Sequence, residues 1–314
     1  MDLFSIFRKT FETLRSNIFL FLPPLVNLYL VPVALGIAAA YVLIPILVVA
    51  ANIADILPSM MVGGLLGAVI VAILALVAYS AIFAGWGNMN RAALTTGRTN
   101  FEDFKSGFKK YFRRVLVAVV ILLVVLLALA LLGLASIVAM GIPIVKEIIE
   151  QLPKLAEPQA FAGALLPEGP LGILVRVVRL AVNSAGVALI FITLGGLWLL
   201  FSLFWVPAII VNEMKVFTAL SSSFSFVKRN FYTVIGYISL YLIADRFTET
   251  IFPGGGGGGG GAGYGFGFAI EPALRGVFQV LLQAFFILML FAVYIDRQPA
   301  QRAPSEPPTT QSQT

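Results

Sequence analysis

Side chains able to carry chemistry are few and scattered through this chain of 314 residues. It has no histidine and no cysteine, which removes an imidazole base, a thiolate nucleophile and any Cys/His metal centre. Carboxylates, serines and cations remain. Glu147 and Glu150 stand three apart, the spacing of an acid–base pair on one helix face. No nucleophile or further acid accompanies them, so a solvated short helix is the default reading. Ser221, Ser222, Ser223 and Ser225 form a hydroxyl patch suited to phosphorylation or nucleophilic attack. With no histidine as base and Lys228 protonated nearby, they read instead as the polar side of an interfacial helix. Gly254 to Gly261 lacks the Gly-Lys-Ser/Thr ending of a phosphate loop and reads as an external connector. No catalytic, cofactor-binding or metal-binding residue is expected.

Charged pairs carry more information. Arg176 and Arg179 are three apart, Asp245 and Glu249 four apart, and each pair falls on one helix face. Charges at membrane depth are rare and usually paired, which predicts an external network of these four residues with Arg246. It would serve as a gate or an anionic headgroup site. The plainer reading is snorkelling side chains at helix ends.

The elements that must position these residues follow from composition. Hydrophobic residues make up 60% and charged residues 11% of the chain, against roughly 25% charged in soluble domains. A soluble fold of this size has too little interior for that much apolar surface. Crossing a bilayer takes about 20 apolar residues. Charge-free runs predict six spans: 17–55, 61–88, 115–141, 180–211, 231–244 and 276–295. The first and fourth runs are long, yet neither has a polar turn at its middle, so each reads as one kinked or tilted helix. Asn183, Gln279 and Gln283 fall inside spans and would join helices by hydrogen bonds or line a solute path.

The positive-inside rule tests this count. Six spans leave segments 1–17, 89–114, 212–230 and 296–314 on one side, with 15 of the 21 basic residues and seven acids. The other side keeps six basic and eight acidic residues. Both termini are therefore expected in the cytoplasm, with residues 297–314 a disordered tail rich in Pro, Gln, Ser and Thr. Membrane orientation accounts for the net charge of +6 without nucleic acid as a partner.

An internal repeat organises the same segments. Phe4, Phe7, Phe11 and Leu14 align with Phe217, Leu220, Phe224 and Val227 at an offset of 213, and Asn17 with Asn230. At an offset of 119, Trp86 aligns with Trp205 and Lys109-Lys110 with Lys228-Arg229. Three units of about 1–90, 91–211 and 212–296 result, within one transmembrane domain of residues 1–296. Each is an amphipathic helix, a basic cluster and two membrane helices. In the middle copy Phe101, Phe104, Phe108 and Tyr111 form the apolar stripe, and Thr99 with Glu102 supplies a capping box. Such helices lie in the headgroup plane, aromatics toward acyl chains and cations toward anionic lipid, or pack on the ends of the spans; both can hold. The basic junctions expected to meet lipid are Arg15, Lys109, Lys110, Arg113, Arg114, Lys228 and Arg229.

The stretches TLRSNIFLFLPPLV and VNEMKVFTALSSSFSFVKRNFYTVIGY resemble those of uncharacterised six-helix membrane proteins common in archaea. That family is similar to the membrane domain preceding the catalytic domain of some bacterial glycerophosphoryl diester phosphodiesterases. The likeness implies the helical bundle but not the activity, because the phosphodiesterase domain of those relatives uses paired histidines. The expected fold is an all-α polytopic bundle. The expected role is a non-catalytic component that organises lipid or binds a partner, the tail being one place for a protein to dock. A small-solute transporter or channel is the alternative.

Overall fold

A computed structural model describes residues 3–27, 57–155, 170–252 and 267–298, with positions 30, 33, 34, 36, 37 and 39–41. The chain is all-α. Its helices include α1 (Leu3–Ser16), α2 (Leu57–Thr96), α3 (Phe101–Leu155), α4 (Pro170–Ser202), α5 (Trp205–Val211), α6 (Val216–Arg229), α7 (Phe231–Ile251) and α8 (Gly267–Arg297). A 3-10 turn, Ile18–Phe21, follows α1. Most of the expected first span, the glycine run, the loop 156–169 and the tail beyond Gln298 lie outside the described residues.

Among the described residues, four segments are long and apolar enough to cross a membrane: Leu66–Thr96, Phe101–Pro143, Val177–Val211 and Leu274–Arg297. The fifth expected span is the 21-residue α7, less apolar because Asp245, Arg246 and Glu249 occupy its last turns. Pro207 breaks the fourth run. It has no N–H to give the Leu203 carbonyl, and the helix interrupts at Leu203–Phe204 before resuming as α5.

Packing divides the chain into two compact units, residues 1–119 with 204–314 and residues 120–203. In the first unit α8 is the central element. Leu288, Met289, Phe291, Val293 and Tyr294 are buried, facing α1, α2, α5 and α7. Tyr294 joins Phe204 and Phe226 in a three-ring cluster with centroids 4.5–6.0 Å apart, and Phe7 of α1 meets Phe285 at 4.8 Å. Helix α2 turns back on α3 through small residues. A Cβ at Gly107 would stand 2.4 Å from the Asn88 Cβ and 2.9 Å from the Ala84 carbonyl oxygen, so only glycine permits that approach. In the second unit Gly133 receives the Phe191 ring, and Gly195 lies beside Leu126.

The amphipathic helices both pack and face outward. On α1 the buried face is Ile6, Thr10 and Leu14, leaving Phe4 79% and Phe11 56% exposed. On α6 the buried positions Ala219, Ser223 and Val227 lie 213 residues further on, with Phe217 72% exposed. In the middle segment Gly107 and Tyr111 are buried while Phe101 and Phe108 are exposed, so Tyr111 departs from the expected stripe.

Candidate functional site

The connections between helices hold the densest polar chemistry among the described residues. Its centre is Glu213, between α5 and α6, whose backbone takes a left-handed φ of 55° unusual for a side-chain-bearing residue. Its Oε1 accepts from Lys110 Nζ at 2.5 Å, Tyr111 Oη at 3.3 Å and Arg91 at 3.4 Å. Arg91 also donates to the Tyr111 hydroxyl (2.9 Å) and the Ile210 carbonyl (3.1 Å). Arg114 donates to the Glu213 carbonyl at 2.8 Å. Three segments are thus tied by one carboxylate and three cations. The Lys110 ammonium, then Arg91, holds the Glu213 carboxyl below its ordinary range.

Asn17 ties α1 to the same end of the unit. Its Nδ2 donates to the Gly97 carbonyl at 3.2 Å and its Oδ1 accepts from Thr99 N at 2.9 Å. Gly97, at φ 78°, ends α2 in the left-handed conformation that glycine adopts without a Cβ clash. The helix start that follows corrects the expected cap. Asn100 accepts from Asp103 N (3.0 Å), and Asp103 reaches back to Asn100 N (2.9 Å), so the box is Asn100–Asp103 rather than Thr99–Glu102. Asn212 Nδ2 donates to the Tyr294 hydroxyl (3.0 Å), bringing the end of α8 to this cluster.

The expected basic junctions divide in use. Arg15, Lys109, Arg113, Lys228 and Arg229 are exposed. Lys110, about half exposed, and Arg114 are in addition engaged with Glu213. Of the charges expected on the external side, Arg246 pairs with Glu249 at 2.6 Å within α7, next to exposed Asp245. Arg179 is exposed on α4, in the other unit, and the Arg176 side chain lies outside the described residues, as do those of Glu147 and Glu150. The intramembrane polar groups expected to join helices sit elsewhere. Asn183 and Gln283 lie on exposed faces and Gln279 is half-buried. Among the described residues, Asn17, Asn27 and Asn90 are the buried amides. Tyr237 supplies an α7–α8 link by donating to the Phe286 carbonyl at 3.0 Å.

The serines of α6 do not form a single polar surface. Ser223 is buried, whereas Ser221, Ser222 and Ser225 line an open cavity of about 370 Å³. Thr218, Arg229 and Arg297 line it too, with Asn212, Asn230 and Gln298 adding amides. Sequence reasoning assigned no role to Glu213, Arg91 or Arg297 here. The one available signal is that Glu213 is the only acid in segment 212–230, among Lys215, Lys228 and Arg229. Compared with known proteins, the chain matches no family model, no curated protein and no solved structure.

Proposed function

We propose that this membrane protein is a non-catalytic component that organises anionic lipid around its basic junctions. On this reading six spans leave both termini in the cytoplasm, and α1, α6 and the start of α3 lie at that membrane surface. Arg176, Arg179, Asp245 and Glu249 then lie at the external end. The observation that carries the reading is the pairing of outward aromatics with outward cations on the same segments. Phe4 and Phe11 accompany Arg15, Phe101 and Phe108 accompany Lys109 and Arg113, and Phe217 accompanies Lys228, all exposed. In water such rings would be a liability. In the headgroup layer they reach the acyl chains while each nearby Lys or Arg gains about 1 kcal/mol from an anionic surface.

The full chain, reconstituted in bilayers of phosphatidylglycerol and phosphatidylcholine, is expected to enrich spin-labelled phosphatidylglycerol at its surface. The combined variant Arg15→Gln, Lys109→Gln, Arg113→Gln and Lys228→Gln should lose that enrichment. Unchanged lipid selectivity in the variant would refute the reading, and solute flux through the wild-type protein in vesicles would favour a transporter instead.

A further inference from the structure

We infer that the cavity between α6 and the end of α8 is a binding site for a phosphate-type anion, a free phosphate or the phosphodiester of a lipid headgroup. This goes beyond the collar of exposed cations, since the site is a concave pocket with its own donors. The volume of about 370 Å³ admits a phosphate with a small organic group attached. Its wall carries two guanidiniums, Arg229 and Arg297, and four hydroxyls, Thr218, Ser221, Ser222 and Ser225, with no carboxylate among the lining residues described. Asp296, 3.9 Å from Arg297, is the nearby acid.

The chemistry of that set is directional. Guanidiniums donate in a fork that matches phosphate oxygens, and hydroxyls rotate to donate beside them. Asn230, between α6 and α7, also lines the cavity, its amide donating to the Phe226 carbonyl at 3.1 Å. The wall is firm at Phe226, which lines the cavity and is packed between the Phe204 and Tyr294 rings.

The test uses the full chain, in detergent with inorganic phosphate, and separately in nanodiscs of phosphatidylcholine with or without phosphatidylglycerol. Thermal unfolding is the readout, since a ligand bound to the folded state raises the midpoint with concentration. A saturable rise with inorganic phosphate assigns a free anion; a rise confined to phosphatidylglycerol assigns a headgroup. In either case Ser225→Phe, which fills the cavity, and Arg229→Gln should weaken binding roughly tenfold or more, while Lys109→Gln with Arg113→Gln leaves it unchanged. Absence of any rise, a full response in both cavity variants, or a loss shared by the Lys109 and Arg113 variant would overturn the inference. Arg229 belongs to both collar and cavity, so Ser225→Phe separates the two proposals. Lost phosphate binding with lipid selectivity intact keeps the cavity and leaves the collar to stand or fall separately.

Discussion

Residues 120–203 and the unit formed by 1–119 with 204–314 are both apolar helices, but they treat side chains in opposite ways. In the former, Gly133 and Ser202 are the buried residues among those described, while Val182, Leu189 and Ile192 are 64–70% exposed. In the latter, nearly every position of α8 from Ala284 to Tyr294 is buried. A difference in greasiness does not explain this, because lipid solvates leucine as well as another leucine does. What separates them is what the helices offer each other. The larger unit presents glycines at close approaches, aromatic rings and polar ties such as Asn17, Asn88 and Glu213. The smaller presents mostly branched aliphatics, which gain little by leaving lipid.

That contrast can be broken by paired substitutions. The largest effect is expected from Gly107→Ala, whose new Cβ meets Asn88 and a backbone oxygen that cannot swing away. It should cost about 1–3 kcal/mol in unfolding from detergent. Gly133→Ala, whose Cβ would stand 3.1–3.3 Å from Phe191 Cγ, Cδ2 and Cβ, needs only a small shift and should cost a fraction of that. Equal losses would remove the contrast. Next comes Asn17→Ala, which leaves Thr99 N and the Gly97 carbonyl without their partner and should cost about 1–3 kcal/mol. Asn183→Ala, on an exposed face of α4, should be silent by the same measurement.

The smallest effect is in pH. The Glu213 carboxyl is held below its ordinary value in the folded chain, first by Lys110. The stability it contributes is therefore complete above the ordinary glutamate pKa of about 4.3 and is lost as pH falls below it. Wild type should lose melting temperature on acidification through that window by more than Glu213→Gln does. Because Glu213 and Lys110 are both about half exposed, solvent and salt keep this difference modest.

The helical class and most of the long runs were legible in the sequence, because lipid demands uninterrupted apolarity and charges mark its limits. Helix boundaries were less so. The sequence reading gives each copy an amphipathic helix distinct from its span, which holds where an asparagine intervenes: Asn17 ends α1 and Asn230 ends α6. At the aligned position the middle copy has Tyr111, a residue that continues a helix, and α3 runs on through Arg113 and Arg114 into the apolar stretch. The Glu213 cluster was illegible for a different reason. Its partners Arg91, Lys110 and Tyr111 lie more than 100 residues away, and only the fold brings them together. The cavity serines were legible as chemistry but not as a concave wall, because Arg297 arrives from the far end of the chain.

The unbroken α3 has a mechanical consequence. Its 55 residues are more than twice the roughly 20 that one crossing of the hydrocarbon layer takes. Lys105, Lys109 and Arg113 recur every four residues along its first turns, so they form a ladder of rungs about 6 Å apart. A helix that carries cations on its first turns and aliphatic side chains beyond them is held in place along its own axis, since sliding it inward would take a charge into hydrocarbon.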